Sequence, residues 1–543
     1  MRYIVACGLT ALLLMPVTSA QAVSGSQVQE RYHDPELLSF DDLVTLSATA
    51  QPKGALGARF YELLNTPFVR NDASAGDVSR HRPGSEDGTE DRGPVLRVGL
   101  WNIERGLNFE LIRAALTDTT EFERLAEAQN HWGAGQRERI ESQLATLQNV
   151  DVLVLDEVDR GMKRTEYRDV ARELASALHM NYVYGVEFVE VDPIFALGTE
   201  QVHLANAQED LRLQQDLEVD HERYRGLHGT AILSRYPIRS ARILRLPVCY
   251  DWYGQEVKAA ANLEKGKRWA AHKLFAERIA REIRQGGRMA LIADIGVPEL
   301  PGGEATIVAP HLENRCAPAC RRRQMTALLA ELKQERNPVV IAGDLNTTGQ
   351  TNTPTSVQNE IMSRVTDYQF WIGQTISWFH PLGIYKHVLV PVHYFHGYND
   401  PTAFHIPILW NNREQHLFRS VEKFRFADEG AFDFQGDPER TLNRKGRTLS
   451  DSNERSTKGF VPTYAFARDY GGLVGRFKLD WFFVKPLTEE PRGDGQFSWL
   501  APQFPRTMRE LNQSVEDRIS DHPPLTVDLS LGEPQRAAVN GQH

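Results

Sequence analysis

Short apolar runs rich in β-branched residues recur along the chain, and most of them end in polar residues. The clearest is 339–347, VVIAGDLNT, which runs as a strand to Gly343 and then presents Asp344 and Asn346. Residues spaced i, i+2 on a strand point to the same side, so this carboxylate and this amide are expected to lie side by side at a sheet edge. A strand followed by an Asx turn is the alternative interpretation of this run alone.

The other runs predict an alternation of strands and helices. Strands are expected at 95–106, 151–155, 181–191, 228–238, 241–248, 288–297, 304–314, 475–486, 497–500 and 519–531. We expect 241–248 to form a hairpin with 228–238, and 304–314 to pair with 288–297 through PELPGG. Apolar residues at helical spacing predict helices at 34–48, 58–68, 119–148, 167–179, 250–286 and 321–335.

Three polar or irregular stretches separate these elements, at 71–94, 192–225 and 349–470. The first has the composition of a linker, and the last is a long insertion rich in aromatic residues. Its histidines, at 380, 387, 393, 396 and 405, fit no standard metal-ligand motif. The sequence therefore predicts a signal peptide at 1–22, an N-terminal extension and linker at 23–94, one domain at 95–531 with an insertion at about 349–470, and a disordered tail at 532–543.

The first residues have the pattern of a secretory signal peptide. Met1 and Arg2 precede an apolar run at 3–17, and Ala20-Gln21-Ala22 fits a cleavage site. The run is too short for a comfortable membrane span, so an exported protein, periplasmic or secreted, is expected rather than an integral membrane protein. The net charge of −10 argues against a broad nucleic-acid surface, although a local basic groove at 265–268 or 321–323 stays open.

Four cysteines are present, and the predicted cleavage would remove Cys7. An exported protein can keep disulfides, so we expect a short Cys316–Cys320 bridge and an unpaired Cys249. Zinc binding is the less favoured interpretation, because no second pair of thiols accompanies this one.

Several strand ends carry side chains suited to one task. They are Asn102, Glu157, His311, Asp344 with Asn346, Asp480, and Asp521 with His522. An acid at a single strand end is usually a cap or a solvated edge. Repetition at so many strand ends indicates a shared site.

The stretches that carry these residues resemble the endonuclease/exonuclease/phosphatase superfamily of DNase I-like proteins. They are LWNIERG, VLDEVDRG, HGTAILSRYPI, TIVAPHLEN, VIAGDLNTT, KLDWFFV and SDHPPLTVDL, in the order typical of the family. The spacers that follow Glu157 and Asn346 are longer than is typical. The resemblance implies an α/β fold, a four-layer sandwich of two mixed β-sheets flanked by helices.

The resemblance also implies roles for these residues. Glu157, with Asn102 and Asp521, would hold a divalent cation, usually Mg²⁺ and alternatively Mn²⁺ or Ca²⁺. The implied catalytic residues are His311, Asp344, Asn346, Asp480 and His522. Asp344 would orient or deprotonate water, and Asn346 would hold a phosphate oxygen. His311 and His522 would donate to phosphate oxygens or to the leaving group, and Asp480 would fix His522. Glu104 and Asp159 are interpreted as loop acids, His228 as structural, and Arg160 and Arg164 as possible phosphate contacts.

The predicted function is an exported, metal-dependent phosphoesterase that cleaves a phosphodiester by in-line attack of water. Its substrate is expected to be a nucleic acid or a phospholipid head group, and no stable protein partner is predicted. The aromatic stretch 378–398 would suit a lipid phosphodiesterase, which enters the membrane interface. A phosphomonoesterase acting on a small or inositol phosphate is an alternative. A non-catalytic binding protein that reuses the fold is the alternative of another class.

Overall fold

The computed structural model describes residues 33–73, 94–191, 219–257, 283–347, 413–456, 459–465, 476–488, 498–516 and 518–532. Its principal strands are β1 Phe68–Arg70, β2 Val95–Arg105, β3 Val152–Arg160, β4 Asn181–Val191, β5 Leu227–Ser234, β6 Ile238–Arg245, β7 Ile283–Gly286, β8 Met289–Gly296, β9 Glu304–Pro310 and β10 Val339–Asp344. Later strands are β11 Arg455–Ser456, β12 Gly459–Phe460, β13 Tyr464–Ala465, β14 Arg476–Phe477, β15 Asp480–Lys485, β16 Leu487–Thr488, β17 Ser498–Trp499, β18 Pro502–Thr507 and β19 Leu525–Ser530.

The helices lie between these strands. They are α1 Phe40–Ser47, α2 Gly54–Asn65, α3 Phe109–Thr117, α4 Thr119–Glu127, α5 Ala134–Leu147, α6 Val170–Leu178, α7 Pro318–Glu331, α8 Gln415–Lys423 and α9 Arg509–Asn512, with 3-10 turns at Lys163–Thr165 and Leu332–Gln334. None of the helices within the described ranges combines the length and the apolar character that crossing a membrane would require.

Two mixed sheets form the centre of the fold. In the described part of the chain the larger sheet has the order β1-β4-β5-β3-β2-β19-β18, with β7 also paired to β4, and the smaller has the order β15-β10-β9-β8-β6. Each sheet contains one parallel pair, β2 with β3 and β9 with β10, among antiparallel neighbours. The polar residues singled out in the sequence analysis lie near the ends of strands in both sheets, among them β2, β3, β10 and β15.

Alternation along the strands explains the four layers. Val152 and Val154 of β3 point into a core shared with Val340 and Ala342 of β10, so the two sheets pack face to face. Leu153, between the two valines, points to the opposite face of the larger sheet, where α1 to α6 and α9 pack. Residues of α7 and α8 cover the outer face of the smaller sheet. The predicted helix–sheet–sheet–helix sandwich is confirmed.

The N-terminal extension belongs to this domain. Leu43 of α1 and Leu63 of α2 are buried in the outer core of the larger sheet, and Phe68 of β1 pairs with Tyr184 of β4. The extension therefore adds two helices and an edge strand. The linker residues 74–93 and the start of the insertion, 348–412, lie outside the described residues.

Several predicted elements differ from the structure. The stretch 119–148 forms two helices, α4 and α5, on either side of a break at Gly133. The predicted hairpin of 228–238 with 241–248 is wrong, because β6 pairs with β8 in the smaller sheet whereas β5 stays in the larger one. The chain passes from the larger sheet to the smaller one at 235–237, and no local sequence pattern predicts that change of sheet. The end of the predicted helix 250–286 is strand β7, and 258–282 lies outside the described residues.

The cysteine pairing also differs. Cys249 bonds to Cys320, with Cα atoms 5.9 Å apart, and Cys316 is a free, buried thiol. Cys316 lies just before α7, where its Sγ is 3.4 Å from the carbonyl oxygen of Glu313. Cys320 lies in the first turn of α7 and faces the loop after β6 instead. The expected Cys316–Cys320 bridge is therefore wrong.

Candidate active site

The strand ends bring all eight predicted site residues together. Asn102 lies just before the bulge near the end of β2, Glu157 lies near the end of β3, Asp344 ends β10 and Asp480 begins β15. His311 and Asn346 follow β9 and β10, and Asp521 and His522 precede β19. The site is thus built from both sheets, at one edge of the sandwich.

Asp344 is the centre of the site. Its Oδ2 lies 3.8 Å from Nε2 of His311 and 3.9 Å from Nε2 of His522, and the Asn102 amide donates to it at 3.3 Å. Its Oδ1 accepts from the backbone N–H of Asn346 at 2.8 Å. Burial and the Asp480 carboxylate raise the pKa of Asp344, against the lowering effect of the two imidazoles. Asp344 is consequently a stronger base than an ordinary aspartate.

Gly343, directly before Asp344, is required by close packing. A Cβ atom there would lie 2.0 Å from the carbonyl oxygen of Pro310, at the end of the neighbouring strand. The backbone of β10 therefore approaches β9 at the level where His311 emerges, and this approach helps to bring His311 near Asp344.

His522 is held from two sides. Its Nδ1 donates to Oδ2 of Asp480 at 2.8 Å, and its backbone carbonyl accepts from Nε1 of Trp101 at 2.9 Å. Burial lowers the pKa of His522, but Asp480 and Asp521 raise it well above its ordinary value. The predicted Asp480–His522 pair is present, and it presents a charged Nε2 towards Asp344.

His311 lies in a second network. Its Nδ1 is 3.2 Å from Oε1 of Glu187, a fully buried residue of β4, and Arg288 lies beside the ring and beside Glu187. Burial and Arg288 lower the pKa of His311, whereas Glu187 and Asp156 raise it, with a net rise to about 9. The pKa of each imidazole at the site is therefore raised above the ordinary value of histidine.

Three carboxylates lie on the other side of Asn102. Glu157 and Asp521 are half-buried, and Oε2 of Glu104 accepts from the backbone N–H of Asp521 at 3.1 Å. Burial and the Asp521 charge raise the pKa of Glu104 to about 7. Burial also raises the pKa of Glu157, but nearby cations, Arg105 first among them, lower it to about 2.

This carboxylate group fits a divalent cation. Hard oxygen ligands suit Mg²⁺, and the mutual repulsion that raises the pKa of Glu104 is relieved when a cation lies among the acids. Among the described residues of this site, Asp344, Asp480 and His522 have ligand atoms that all lie within 4.8 Å of one another, whereas Glu157, Glu104 and Asp521 do not form so close a set. Asp480, however, is already hydrogen-bonded to the His522 imidazole, so Glu157, Glu104 and Asp521 stay the candidate cation ligands.

Some interpretations of single residues are wrong. Glu104 and Asp159 are strand residues rather than loop acids, and Asp159 is fully buried between Arg164 and His228. His228 is structural, as expected. Arg164 is no free phosphate contact, because it pairs with Asp159 and with Glu190 at 2.8 Å.

Two other basic groups are also used inside the protein. Arg160 pairs with Asp169 at 3.0 Å. Arg321, the first residue of the possible basic groove at 321–323, is buried against Glu414. The segments 265–268 and 378–398 and the insertion histidines lie outside the described residues.

Sequence reasoning missed several residues that hold the site in place. Oδ2 of Asp156 accepts from the backbone N–H of Asp344 at 2.8 Å, and Ser520 Oγ donates to the Asn102 carbonyl at 2.7 Å. Glu187 braces His311. Asp156 and Ser520 adjoin predicted site residues in the sequence, which was the available signal. Glu187 had none, since its partners are remote in the chain.

Comparisons with known proteins identify a family for this chain. A family model described as "Endonuclease/Exonuclease/phosphatase family" matches residues 99–522. A search of curated protein sequences finds no match.

Matching solved structures include an endonuclease/exonuclease/phosphatase from Beutenbergia cavernae DSM 12333 at 16% identity, covering 81% of this chain and 72% of that one with a TM-score of 0.33. Another is the human Nocturnin catalytic domain with bound sulfate, at 14% identity, covering 80% of this chain and 93% of that one with a TM-score of 0.35. A third is the 3′ phosphatase NExo from Neisseria bound to a product DNA hairpin, at 11% identity, covering 80% of this chain and 99% of that one with a TM-score of 0.33.

Proposed function

The chain belongs to the endonuclease/exonuclease/phosphatase family, and from that premise we propose that it is an exported, divalent-metal-dependent phosphodiesterase. Members of this family are generally hydrolases of phosphate esters. The observation that carries the proposal is the environment of Asp344. Its Oδ2 lies within 4 Å of Nε2 of both His311 and His522, and three carboxylates stand nearby. A base, two cationic donors and a cation-binding group are the parts that hydrolysis of a phosphate ester by water requires.

Each residue has a distinct task in this proposal. Asp344, whose pKa burial raises, orients the attacking water and accepts its proton. The charged imidazoles of His311 and His522 donate to the phosphoryl oxygens, where negative charge develops. Asp480 keeps Nδ1 of His522 occupied, so that Nε2 is the atom offered to the substrate. Asn346 stands next to Asp344 as a further donor for a phosphoryl oxygen.

The cation site has a complementary task. Glu157, Glu104 and Asp521 would hold a divalent cation such as Mg²⁺, which would neutralise the charge that develops on the phosphoryl group. Asn102 connects the two halves of the site. Its Nδ2 donates to Asp344 and its Oδ1 accepts from the backbone N–H of Glu104 at 3.1 Å. Asn102 thereby fixes the spacing between base and carboxylates.

Export is supported by the N-terminal pattern and is compatible with the Cys249–Cys320 disulfide. Disulfides persist in oxidising compartments outside the cytosol. Release of a precursor segment at Ala22 is tested by the N-terminal sequence of the protein recovered from its natural compartment.

Hydrolysis by the purified full chain tests the enzymatic proposal. The substrates are bis-p-nitrophenyl phosphate, plasmid DNA, sphingomyelin vesicles and p-nitrophenyl phosphate, each with Mg²⁺ and with EDTA. We expect chelator-sensitive turnover that falls by about 10² or more in His522→Gln, because a charged donor is lost. The control is His416→Gln, which changes an exposed histidine of α8 and is expected to keep the wild-type rate.

Two further results decide the matter. Mg²⁺ is expected to raise the melting temperature of the wild type but not of Glu157→Gln, since the substitution removes a ligand. Full activity in EDTA, or an active His522→Gln variant, would contradict the mechanism. A folded protein that neither turns over any substrate nor responds to Mg²⁺ would support the non-catalytic binding protein instead.

A further inference from the structure

Arg105 occupies an unusual backbone position beside the proposed cation site. Glu104 and Arg105 both have positive φ, 47° and 67°, and Gly106 follows with 84°. At this point β2 bulges against β3, because the register shifts between Asn102 and Arg105. A left-handed conformation is unfavourable for a residue with a side chain, and glycine would avoid that strain. Side chains in such positions point to a role in a site.

The Arg105 side chain also lacks the partners that the neighbouring arginines have. Its Nε is buried without a hydrogen-bond partner, and no ion pair of Arg105 occurs within the described ranges. The Nε atoms of Arg284 and Arg288 lack a hydrogen bond as well, but Arg164, Arg284 and Arg288 each have a carboxylate oxygen within 3.4 Å. Arg105 has no such ion pair in the described part of the chain and its side chain is partly exposed, so its buried Nε is available to an anionic ligand.

The position of Arg105 indicates where an anionic ligand would bind. Arg105 follows Glu104 in β2 and lies opposite Val158, the residue after Glu157 in β3, and it is the first of the cations that lower the pKa of Glu157. Arg105 therefore lies beside the proposed cation ligands.

We propose that Arg105 binds a second anionic group of the substrate, a phosphate next to the one that is cleaved, so that the enzyme acts on multiply charged phosphoesters. This inference rests on the proposed phosphodiesterase function. A guanidinium binds a phosphate through two parallel N–H donors, which a carboxylate-lined site otherwise lacks. A phosphocholine head group would instead place a quaternary ammonium near an unpaired cation. The structure thus favours nucleotide or polyphosphorylated substrates over choline phospholipids.

Paired substrates that differ by one phosphate test this proposal. They are thymidylyl-thymidine with and without a 5′-phosphate, and inositol bisphosphate with inositol monophosphate. The wild type is expected to prefer the more charged member of one pair, through KM. The pair that shows the preference distinguishes a nucleotide from a small polyphosphate. In Arg105→Gln the preference is expected to fall by about tenfold or more, the usual value of a charge-assisted hydrogen bond, and Arg105→Lys is expected to restore part of it.

A binding measurement separates this inference from the proposed function. Titration calorimetry with Mg²⁺ compares inorganic pyrophosphate with inorganic phosphate for the wild type and Arg105→Gln. The control is Arg113→Gln, which removes a half-exposed arginine paired with Glu110 and Glu121. We expect pyrophosphate to bind the wild type and the control more tightly than phosphate, and the difference to disappear in Arg105→Gln.

The outcomes are distinct. The role of Arg105 would be overturned if the wild type and Arg105→Gln preferred the more charged substrate to the same degree. It would also be overturned if the wild type bound phosphate and pyrophosphate with equal affinity. Either result would leave the proposed hydrolase function intact. An Arg105-dependent preference for pyrophosphate in a protein that hydrolyses nothing would keep the anion site and remove the proposed function. Sphingomyelin as the best substrate would overturn the substrate class.

Discussion

Asp156 offers a quantitative test of the electrostatics beneath the site. It is fully buried, its Oδ2 accepts from the backbone N–H of Asp344, and its Oδ1 lies 3.2 Å from Oγ1 of Thr230. The Thr230 hydroxyl has one proton and lies closer, 2.8 Å, to Oε1 of Glu187. When that proton lies on the shorter contact to the Glu187 carboxylate, a protonated Asp156 can donate to Thr230 Oγ1 in its place. The geometry therefore fits a protonated Asp156, and burial raises its pKa to about 8.

Replacement by asparagine should preserve this arrangement. The amide oxygen of Asp156→Asn can accept from Asp344, and its NH₂ can donate to Thr230. At a pH between the ordinary aspartate pKa of about 3.9 and the raised pKa of Asp156 in the folded protein, the folded wild type binds one more proton than the unfolded chain. The stability that this proton contributes is complete below the lower pKa and is lost as the pH rises through the higher one. The loss is about 1.36 kcal/mol per pH unit, or about 2.7 kcal/mol from pH 5 to pH 7.

Urea unfolding in EDTA at several pH values measures this effect. The difference between wild type and Asp156→Asn isolates one group, because all other titrations are shared. We expect the variant to gain about 2.7 kcal/mol relative to wild type between pH 5 and pH 7. Asp156→Ala should show the same relative slope with a constant loss of about 1–3 kcal/mol, because the Asp344 N–H loses its partner. A difference that does not change with pH would refute the assignment of the proton.

Two further predictions concern the support of the smaller sheet. Glu414→Ala should lower the free energy of unfolding by about 3–5 kcal/mol, because it removes the buried carboxylate that pairs with the fully buried Arg321. Glu331→Ala, which removes an exposed ion pair, should cost less than about 1 kcal/mol in the same urea titration. Cys249→Ser should cost about 2–5 kcal/mol by loss of the bridge to Cys320, and a thermal melt that is identical with and without reductant in the wild type would count against that bridge.

The sequence predicted most of the fold because alternation is a local signal. Val152, Leu153 and Val154 already show which face of β3 meets the other sheet, and the family motifs fix the order of the strands. The site residues were found for a related reason. Each lies within a few residues of a strand end, and strand ends of one sandwich edge meet in space.

What the sequence did not reveal depends on contacts between distant segments. The Cys249–Cys320 bridge spans 71 residues, and nothing near Cys320 distinguishes that partner from Cys316. Glu104 was misassigned because a bulge, rather than simple alternation, turns it towards Asp521. Glu187 braces His311 from a strand 124 residues earlier. Such contacts follow from the packing of two sheets, which no local pattern encodes.

The site depends on the packing of the two sheets against each other. Asp344 ends a strand of the smaller sheet, yet its Oδ2 and its N–H are bound by Asn102 and Asp156 of the larger one. His522 belongs to the larger sheet through the Trp101 contact, yet its Nδ1 is bound by Asp480 of the smaller. The contacts named here, which set Asp344 against the imidazole of His522, thus cross the sandwich. A substitution that shifts one sheet on the other should therefore reduce turnover before it unfolds the protein.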